Sequence, residues 1–214
     1  MSDTTHITVG EVSAWVRAFA AEMTAQKEAL TALDSAIGDG DHGINMDRGM
    51  RAVVDKLDTG EPPDVAAFMK VVGMTLISKV GGAAGPLYGT FFLQFGSSAP
   101  PDADLTPQAW AACFAAGVAG VRSRGKAELQ DKTMVDALQP AADAVSMALG
   151  EGASFADALT RGAERAEDGA RATIPLVARK GRASYLGERS AGHQDPGATS
   201  SALLVRCAAR TWAA

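Results

Sequence analysis

The sequence predicts an all-α protein built as an antiparallel bundle of eight helices. Apolar residues recur at steps of three, four and seven along most of the 214 residues, which places them on one face of successive helices. No stretch shows the period-two alternation of a half-buried strand. Because this length suits one core, we expect a single domain over residues 1–214.

The N-terminal half contains four predicted helices. Thr8 and Glu11 fit a capping box, in which each side chain accepts a hydrogen bond from a free backbone N–H at a helix start. We expect one long helix to follow, and glycine or proline clusters separate it from the next ones. The apolar faces run from Trp15 to Ile37, from Met46 to Leu57, from Val65 to Leu76 and, in a short fourth helix, from Phe91 to Phe95.

Four more helices are predicted in the C-terminal half. Thr106 as an N-cap and Pro107 at the first helical position begin the fifth. Alanine and glycine dominate these helices, which lets neighbouring backbones approach closely. The other three are expected over residues 134–149, 155 to about 180, and 198–212.

Composition and charge exclude several classes of protein. The formal net charge is −5 and the lysines and arginines are scattered, so we expect neither nucleic acid nor an anionic membrane as a partner. No apolar run approaches the length that spans a bilayer, and the opening residues lack a secretory pattern, so we expect a cytoplasmic protein. Cys113 and Cys207 have no second cysteine at metal or redox spacing and are expected to be buried free thiols.

Three carboxylates lie close together after the first predicted helix, at Asp34, Asp39 and Asp41. Converging carboxylates repel one another unless a cation neutralises them, and oxygen ligands suit a hard ion such as Mg²⁺ or Ca²⁺. The pattern therefore indicates a metal site. The alternative is a solvated turn in which the aspartates cap helices.

Three familiar motifs do not fit the chain. Residues 38–43 match G-x-G-x-x-G, but they follow a helix instead of a strand, so a Rossmann fold is not indicated. An EF-hand starting at Asp39 requires Gly and Glu where the chain has Ile44 and Met50. No G-x-x-x-x-G-K-[ST] run occurs, so a bound nucleotide would not be held by a Walker loop.

Four long irregular stretches are unusual for a helical bundle, where longer loops are often functional. In the stretch over residues 81–89, glycines let backbone N–H groups reach a phosphate, although a tight turn between helices explains the glycines equally well. The stretches over residues 124–133 and 181–197 mix cations with glycine, and they either offset phosphate charge or form ordinary surface loops. His42 and His193 are either hydrogen-bond partners within loops or catalysts. The stretches are residues 38–43, 81–89, 124–133 and 181–197.

Long runs within these stretches resemble the L subunit of dihydroxyacetone kinases, and the match covers essentially the whole chain. The resemblance implies an eight-helix barrel that holds ADP or ATP and two Mg²⁺ ions at one open end. We assign no catalytic residue. The runs that carry the resemblance are GDGDHG with Asn45, GGAAGPLYGTFF, RGKAE followed by DKTM, and RKGRASYLGERSAGHQDPGATS.

The resemblance also implies roles for individual residues. Asp34, Asp39 and Asp41 correspond to metal ligands that bridge the ions to the phosphates. Ala84 stands where the family commonly has Ser, which removes a hydroxyl contact to phosphate, and Leu129-Gln130 replaces a common Pro-Gly. The positions that match nucleotide-contacting residues are His42, Gly43, Ile44, Asn45, Ala83, Ala84, Gly125, Met134, Arg182, Asp195, Pro196 and Gly197.

Partners are implied in the same way. In such families a separate K subunit holds the ketose through a histidine. The nucleotide is either ADP, rephosphorylated in place by a phosphohistidine on an M subunit of the phosphotransferase system, or exchangeable ATP. Alternatives are an ATP-dependent subunit for another ketose such as erythrulose, and a nucleotide-sensing adaptor that binds a transcription factor. The assembly state, including a homodimer, is left open.

Overall fold

The computed structural model describes residues 6–60, 62–101 and 104–213, and it has the predicted all-α fold. Within these residues the β-type pairing is limited to one isolated bridge between Ile7 and Leu105. A 3-10 helix, Arg182–Ser190, precedes the last α-helix. The α-helices of the described part are α1 Val9–Ala25, α2 Lys27–Ile37, α3 His42–Asp58, α4 Val65–Lys79, α5 Ala84–Ser97, α6 Pro107–Gly125, α7 Val135–Gly150, α8 Phe155–Ala172 and α9 Pro196–Thr211.

Eight of these helices form a closed ring. Each helix from α3 to α8 packs against the next one in the chain, and α1 closes the ring by packing on both α9 and α3. The remaining helix, α2, packs against α3, α9 and the 3-10 helix. The ring agrees with the expected eight-helix architecture, and the ninth α-helix arises because the predicted first helix is divided.

The main apolar cluster, to which all nine α-helices contribute, forms the core, and a small second cluster joins Ile37 of α2 to Ala178 and Ala183. Its centre is aromatic: the ring centroid of Trp15 lies 5.4 Å from that of Trp110 and 6.0 Å from that of Trp212. Burial of such large rings is a main source of the bundle's stability. Cys113 and Cys207 are buried free thiols, as expected, and burial raises the pKa of each to about 11.

The prediction of one long first helix is wrong, because the helix is interrupted at Gln26. This residue ends α1 and precedes α2 with φ −97° and ψ 6°. A break of one residue does not interrupt the recurrence of apolar side chains, so periodicity alone does not reveal it. The capping box is confirmed, since Thr8 N donates to the Glu11 carboxylate at 2.8 Å and Glu11 N donates to Thr8 Oγ1 at 3.2 Å.

The glycine-rich stretch, predicted to be irregular, is mostly the first part of α5. A Cβ atom at Gly85 would lie 2.4 Å from Val80 O, and one at Gly89 would lie 2.8 Å from Gly73 O. These two glycines therefore permit close packing of α5 on α4 instead of forming a loop. Gly82, with φ +65°, takes the left-handed conformation in the turn before α5.

The seventh predicted helix is too long, because α8 ends at Ala172 and not near residue 180. The Thr173 hydroxyl donates to a backbone carbonyl of the last turn, and Pro175 disfavours a helical conformation at the residue before it. The segment between α8 and α9 therefore runs from Thr173 to Asp195 and contains the 3-10 helix.

None of the described helices has the length and apolarity needed to cross a membrane. Residues 1–5, on which the expectation of no secretory signal rests, lie outside the described part. The same is true of residues 61, 102–103 and 214. The predicted domain over 1–214 is therefore described in part.

Candidate active site

A cavity of about 650 Å³ lies where the loops of one end of the ring meet. The starts of α3, α5, α7 and α9 all contribute to it, because alternate helices of an up-and-down ring begin at the same end. Each of the four irregular stretches singled out from the sequence provides lining residues. The structure thus brings together segments that are far apart in the chain.

The three aspartates form one cluster at the wall of this cavity. Carboxylate oxygens of Asp34, Asp39 and Asp41 lie within 4.8 Å of one another. Asp34 projects from the last turn of α2, and its Oδ2 accepts hydrogen bonds from Asp41 N at 2.8 Å and His42 N at 3.1 Å. Arg182, on the 3-10 helix, places Nη1 3.1 Å from Asp39 Oδ2.

Glycines shape the loop that carries the cluster. A Cβ atom at Gly38 would lie 2.1 Å from Asp34 Oδ1, so a side chain there would displace the carboxylate. Gly40 has φ +72°, which glycine adopts without strain. These two positions let the chain turn sharply between Asp39 and Asp41, so that both side chains return toward Asp34.

The donor set fits a hard divalent cation. Three carboxylates offer oxygen ligands. Arg182 neutralises only part of their negative charge, so the cluster keeps an excess of negative charge. No nitrogen or sulfur ligand belongs to the cluster, which argues against a structural zinc site. Asp34, Asp39 and Asp41 would hold Mg²⁺, which would neutralise and align phosphate oxygens when bound.

Small residues line the cavity beside the aspartates. Ala83 and Ala84 stand at the start of α5, and Gly197 lies in the first turn of α9. Short side chains leave the backbone N–H groups of these helix starts accessible to an anion. Ala84 offers no hydroxyl, so polar contacts at this position are confined to the backbone.

Buried hydroxyl groups join these helices at the cavity wall, where His42 and Tyr88 are lining residues. Ser200 Oγ on α9 lies 2.9 Å from His42 Nε2 on α3 and 2.7 Å from the Tyr88 hydroxyl on α5. The Tyr88 hydroxyl also lies 3.1 Å from Ser201 Oγ. Burial raises the pKa of Tyr88 to about 12, so its hydroxyl stays protonated at neutral pH. Burial lowers the pKa of His42, against the charges of Asp34 and Asp41.

Besides Asp34, the cavity is lined by the buried carboxylate of Asp195, at the start of α9. Asp195 caps this helix by accepting a hydrogen bond from Ala198 N at 2.7 Å. Asp195 as the N-cap and Pro196 at the first helical position explain why α9 begins earlier than its predicted start at residue 198. Burial raises the pKa of Asp195 to about 7, and the hydrogen bond from Ala198 N opposes this shift.

The other end of the cavity is apolar. Met134 and Gly125 lie there, and the loop between them is held by Asp136, whose carboxylate accepts hydrogen bonds from Thr133 N at 2.7 Å and from Gln130 N. Gln130 adopts φ +70°, so the left-handed turn persists without glycine. These apolar side chains suit a nucleotide base. The other apolar lining residues there are Leu87, Val121, Ala127 and Val135.

Of the fifteen positions predicted from the sequence, Gly43 and Ile44 lie outside the described lining. A Cβ atom at Gly43 would lie 2.0 Å from Lys27 O, so this glycine permits packing of α3 on α2, whereas Ile44 is exposed. His193 also lies outside the lining, with an exposed side chain. The predicted positions that line the cavity are Asp34, Asp39, Asp41, His42, Asn45, Ala83, Ala84, Gly125, Met134, Arg182, Asp195, Pro196 and Gly197.

Sequence reasoning missed several buried polar residues around the cavity. Tyr88, Ser200 and Lys132 lie within the runs that carry the family resemblance, yet their burial and their contacts with distant elements are visible only in the structure. Asp136 lies just outside these runs, and no short motif marks its role in holding the loop.

The fold and the cavity together define an all-α ring with a carboxylate cluster suited to a divalent cation and an anionic ligand. The chain belongs to the DAK2 domain family, whose model matches residues 36–210. It is 47% identical over 181 residues to the PEP-dependent dihydroxyacetone kinase, ADP-binding subunit DhaL, of Escherichia coli, covering 85% of this chain and 86% of the relative. A Listeria innocua relative, an ADP-binding subunit DhaL of PEP-dependent dihydroxyacetone kinase 2, is 44% identical and covers 84% of each chain.

A solved structure has the same fold. The dihydroxyacetone kinase of C. freundii, in complex with AMP-PNP and Mg²⁺, superposes with a TM-score of 0.70 and 26% identity. The match covers 98% of this chain and 36% of that chain, so this protein corresponds to about a third of the larger kinase.

Proposed function

We propose that the protein is the nucleotide-binding subunit of a dihydroxyacetone kinase and acts as a single domain. In this proposal Mg²⁺-bound nucleotide occupies the cavity. As ATP, either exchanged in or formed from bound ADP, it delivers its γ-phosphoryl group to a hydroxyl group of dihydroxyacetone held on a separate K subunit, which leaves ADP in the cavity. The observation that carries the proposal is the aspartate cluster at the wall of a cavity whose other end is apolar. The names of the relatives support ADP as the nucleotide, and the C. freundii complex supports Mg²⁺.

The chain's own residues would bind and orient the nucleotide. Asp34 is held in place by two backbone N–H groups, so it presents a fixed oxygen toward Asp39 and Asp41. Arg182 is within reach of the same cluster and carries a charge that suits phosphate oxygens. Bound cations would offset the negative charge of the phosphates and align them for in-line transfer. We propose two ions, because one site with three carboxylates can share its ligands between neighbouring cations.

The source of the phosphoryl group is the second part of the proposal. The E. coli and L. innocua relatives are named as PEP-dependent, which supports a phosphotransferase M subunit that rephosphorylates bound ADP. Purified protein is then expected to retain stoichiometric ADP through dialysis until the metal is chelated. Ready loss of nucleotide without chelation would instead favour exchangeable ATP as the donor.

The binding step is tested by replacing Asp39 and Asp41 with asparagine. The double variant keeps side-chain size but removes two charges, so its affinity for ADP in the presence of Mg²⁺ is expected to fall by at least about 100-fold. Isothermal titration with and without EDTA measures this change. Asp55→Asn, which removes an exposed carboxylate from α3, is the matched control and should bind as the wild type does. Undiminished Mg²⁺-dependent binding by the double variant would refute the proposal.

A further inference from the structure

The loop before α7 carries a fully buried lysine at the wall of the cavity. The side chain of Lys132 is 1% exposed. Burial lowers the pKa of its ammonium group, while the charges of Asp195 and Asp136 act in the opposite direction. A charged group in such a position is stable only when its donors are satisfied. The hydrogen bonds of Lys132 therefore indicate what the residue does.

The partners of Lys132 are backbone carbonyls from two distant parts of the chain. Its Nζ donates to Thr173 O at 2.7 Å and to His193 O, and Ile174 O lies 3.5 Å away. Thr173 directly follows α8, and His193 lies just before α9. We call residues 126–134, between α6 and α7, the base-side loop. One ammonium group thus joins this loop to both ends of the segment between α8 and α9.

We call residues 174–194 the strap. Its ends also contact each other, since Gly192 N donates to Ile174 O at 2.8 Å. The Thr173 hydroxyl oxygen beside the strap accepts a hydrogen bond from Asp195 N at 2.9 Å. The middle of the strap holds Arg182, lines the cavity and packs on Ile37 of α2 through Ala178 and Ala183, so contacts at its ends and in its middle together fix its position.

The base-side loop is anchored to the strap by a second, independent contact. Arg179 N donates to Asp131 O at 3.1 Å, one residue before Lys132. Lys132 itself has φ +62°, which turns its side chain away from the regular path of the loop and inward. The loop ends at Met134, beside the apolar end of the cavity. Lys132 therefore lies between the parts of the cavity that would receive the base and the phosphates.

We propose that Lys132 is a positioning residue: its ammonium group fixes the strap and the start of α9 against the base-side loop, and this spacing sets the affinity for nucleotide. The identity of the ligand rests on the proposed function, whereas the clamping of the strap does not. Thr173 O and Ile174 O also accept backbone hydrogen bonds, from Leu176 N and Gly192 N, so removal of the ammonium group leaves the His193 carbonyl without its donor and frees the end of the strap before α9.

The test compares Lys132→Met with Lys126→Met. Lys126 lies in the same loop and also has a left-handed backbone, with φ +48°, but its side chain is exposed. Both variants lose one positive charge at a similar backbone conformation. Amide hydrogen exchange of Gly192 and Asp195 in nucleotide-free protein reports the strap ends, and isothermal titration with ADP and Mg²⁺ reports the cavity.

In Lys132→Met we expect exchange at these two amides to be at least about 10-fold faster, because hydrogen bonds from a charged donor are lost. We expect the affinity of the same variant for ADP to be weaker by roughly 10- to 100-fold. Lys126→Met should match the wild type in both measurements. Lys132→Gln keeps two N–H donors on a shorter side chain and should fall between them. It also serves as the test variant if Lys132→Met does not fold.

Unchanged exchange in the Lys132 variants would overturn the clamp. Faster exchange with unchanged ADP affinity would overturn the positioning role and leave a purely structural lysine. A wild-type protein that binds no ADP with Mg²⁺ would refute the proposed function instead, and the exchange measurement would still decide whether Lys132 fixes the strap.

Discussion

Replacement of Asp41 by asparagine is predicted to stabilise the metal-free protein and to abolish its stabilisation by metal and nucleotide. Asp41 is the member of the aspartate cluster whose charge is least compensated. Asp34 accepts two backbone hydrogen bonds, and Asp39 pairs with Arg182, whereas Asp41 makes no side-chain cap at the start of α3. Asparagine retains the size of the side chain and removes one of three converging charges.

The magnitude follows from the separation of the carboxylate oxygens, which is within 4.8 Å. At this distance and an effective dielectric constant of about 20, two unit charges repel by roughly 3 kcal/mol. Solvent screening at this half-exposed loop lowers the value, and loss of a negative charge at the start of α3 costs up to about 1 kcal/mol. We expect a net gain on the order of 1 kcal/mol in the free energy of unfolding.

Urea unfolding followed by circular dichroism measures this change in EDTA and again with Mg²⁺ and ADP. The wild type should gain about 3 kcal/mol at a hundredfold excess of ligand over its dissociation constant, and Asp41→Asn should gain little. Asp55→Asn controls for the loss of a carboxylate elsewhere on α3. If Asp41→Asn is less stable than the wild type in EDTA, or is stabilised equally by Mg²⁺ and ADP, the electrostatic reasoning is wrong.

Two further predictions concern buried groups around the cavity. Because the pKa of Asp195 is about 7 in the folded chain and 3.8 ordinarily, the folded state binds this proton more tightly between those values, and stability falls as pH rises through them. The free energy of unfolding of the wild type, measured with urea, should therefore decline between pH 5 and 8. Asp195→Asn keeps the helix cap and should remove on the order of 2–3 kcal/mol of this decline. Identical declines in the two proteins would contradict the prediction. Tyr88→Phe deprives Ser200 and Ser201 of a partner and should cost about 1–2 kcal/mol by thermal unfolding. An unchanged melting temperature would show that these hydroxyls find other partners.

Local chemistry made much of the site predictable. The aspartate cluster, the glycines around it and the capping box each lie within a few consecutive residues, so spacing alone indicates their roles. The four irregular stretches were also informative, since backbone that is neither helical nor short usually serves a site. Of the fifteen positions that the family resemblance implied, thirteen line the cavity. Their contacts with a nucleotide stay a prediction.

Features that depend on contacts between distant elements were not predictable. Tyr88 and Ser200 are 112 residues apart, and Lys132 and His193 are 61 apart, so no local pattern relates them. The sequence predicts a loop at Gly85, because sequence does not distinguish a glycine needed for a turn from one needed for close helix packing. The end of α8 and the start of α9 had local signals, at Pro175 and at Asp195-Pro196, that the apolar periodicity outweighed.

A crystal grown with ADP and Mn²⁺, which replaces Mg²⁺ and scatters anomalously, tests the central claim most directly. The predicted result is two anomalous peaks that share the carboxylates of Asp34, Asp39 and Asp41 at about 2.2 Å, with the phosphates of ADP on their far side. Well-ordered ADP in the cavity with no peak among these carboxylates would contradict the account.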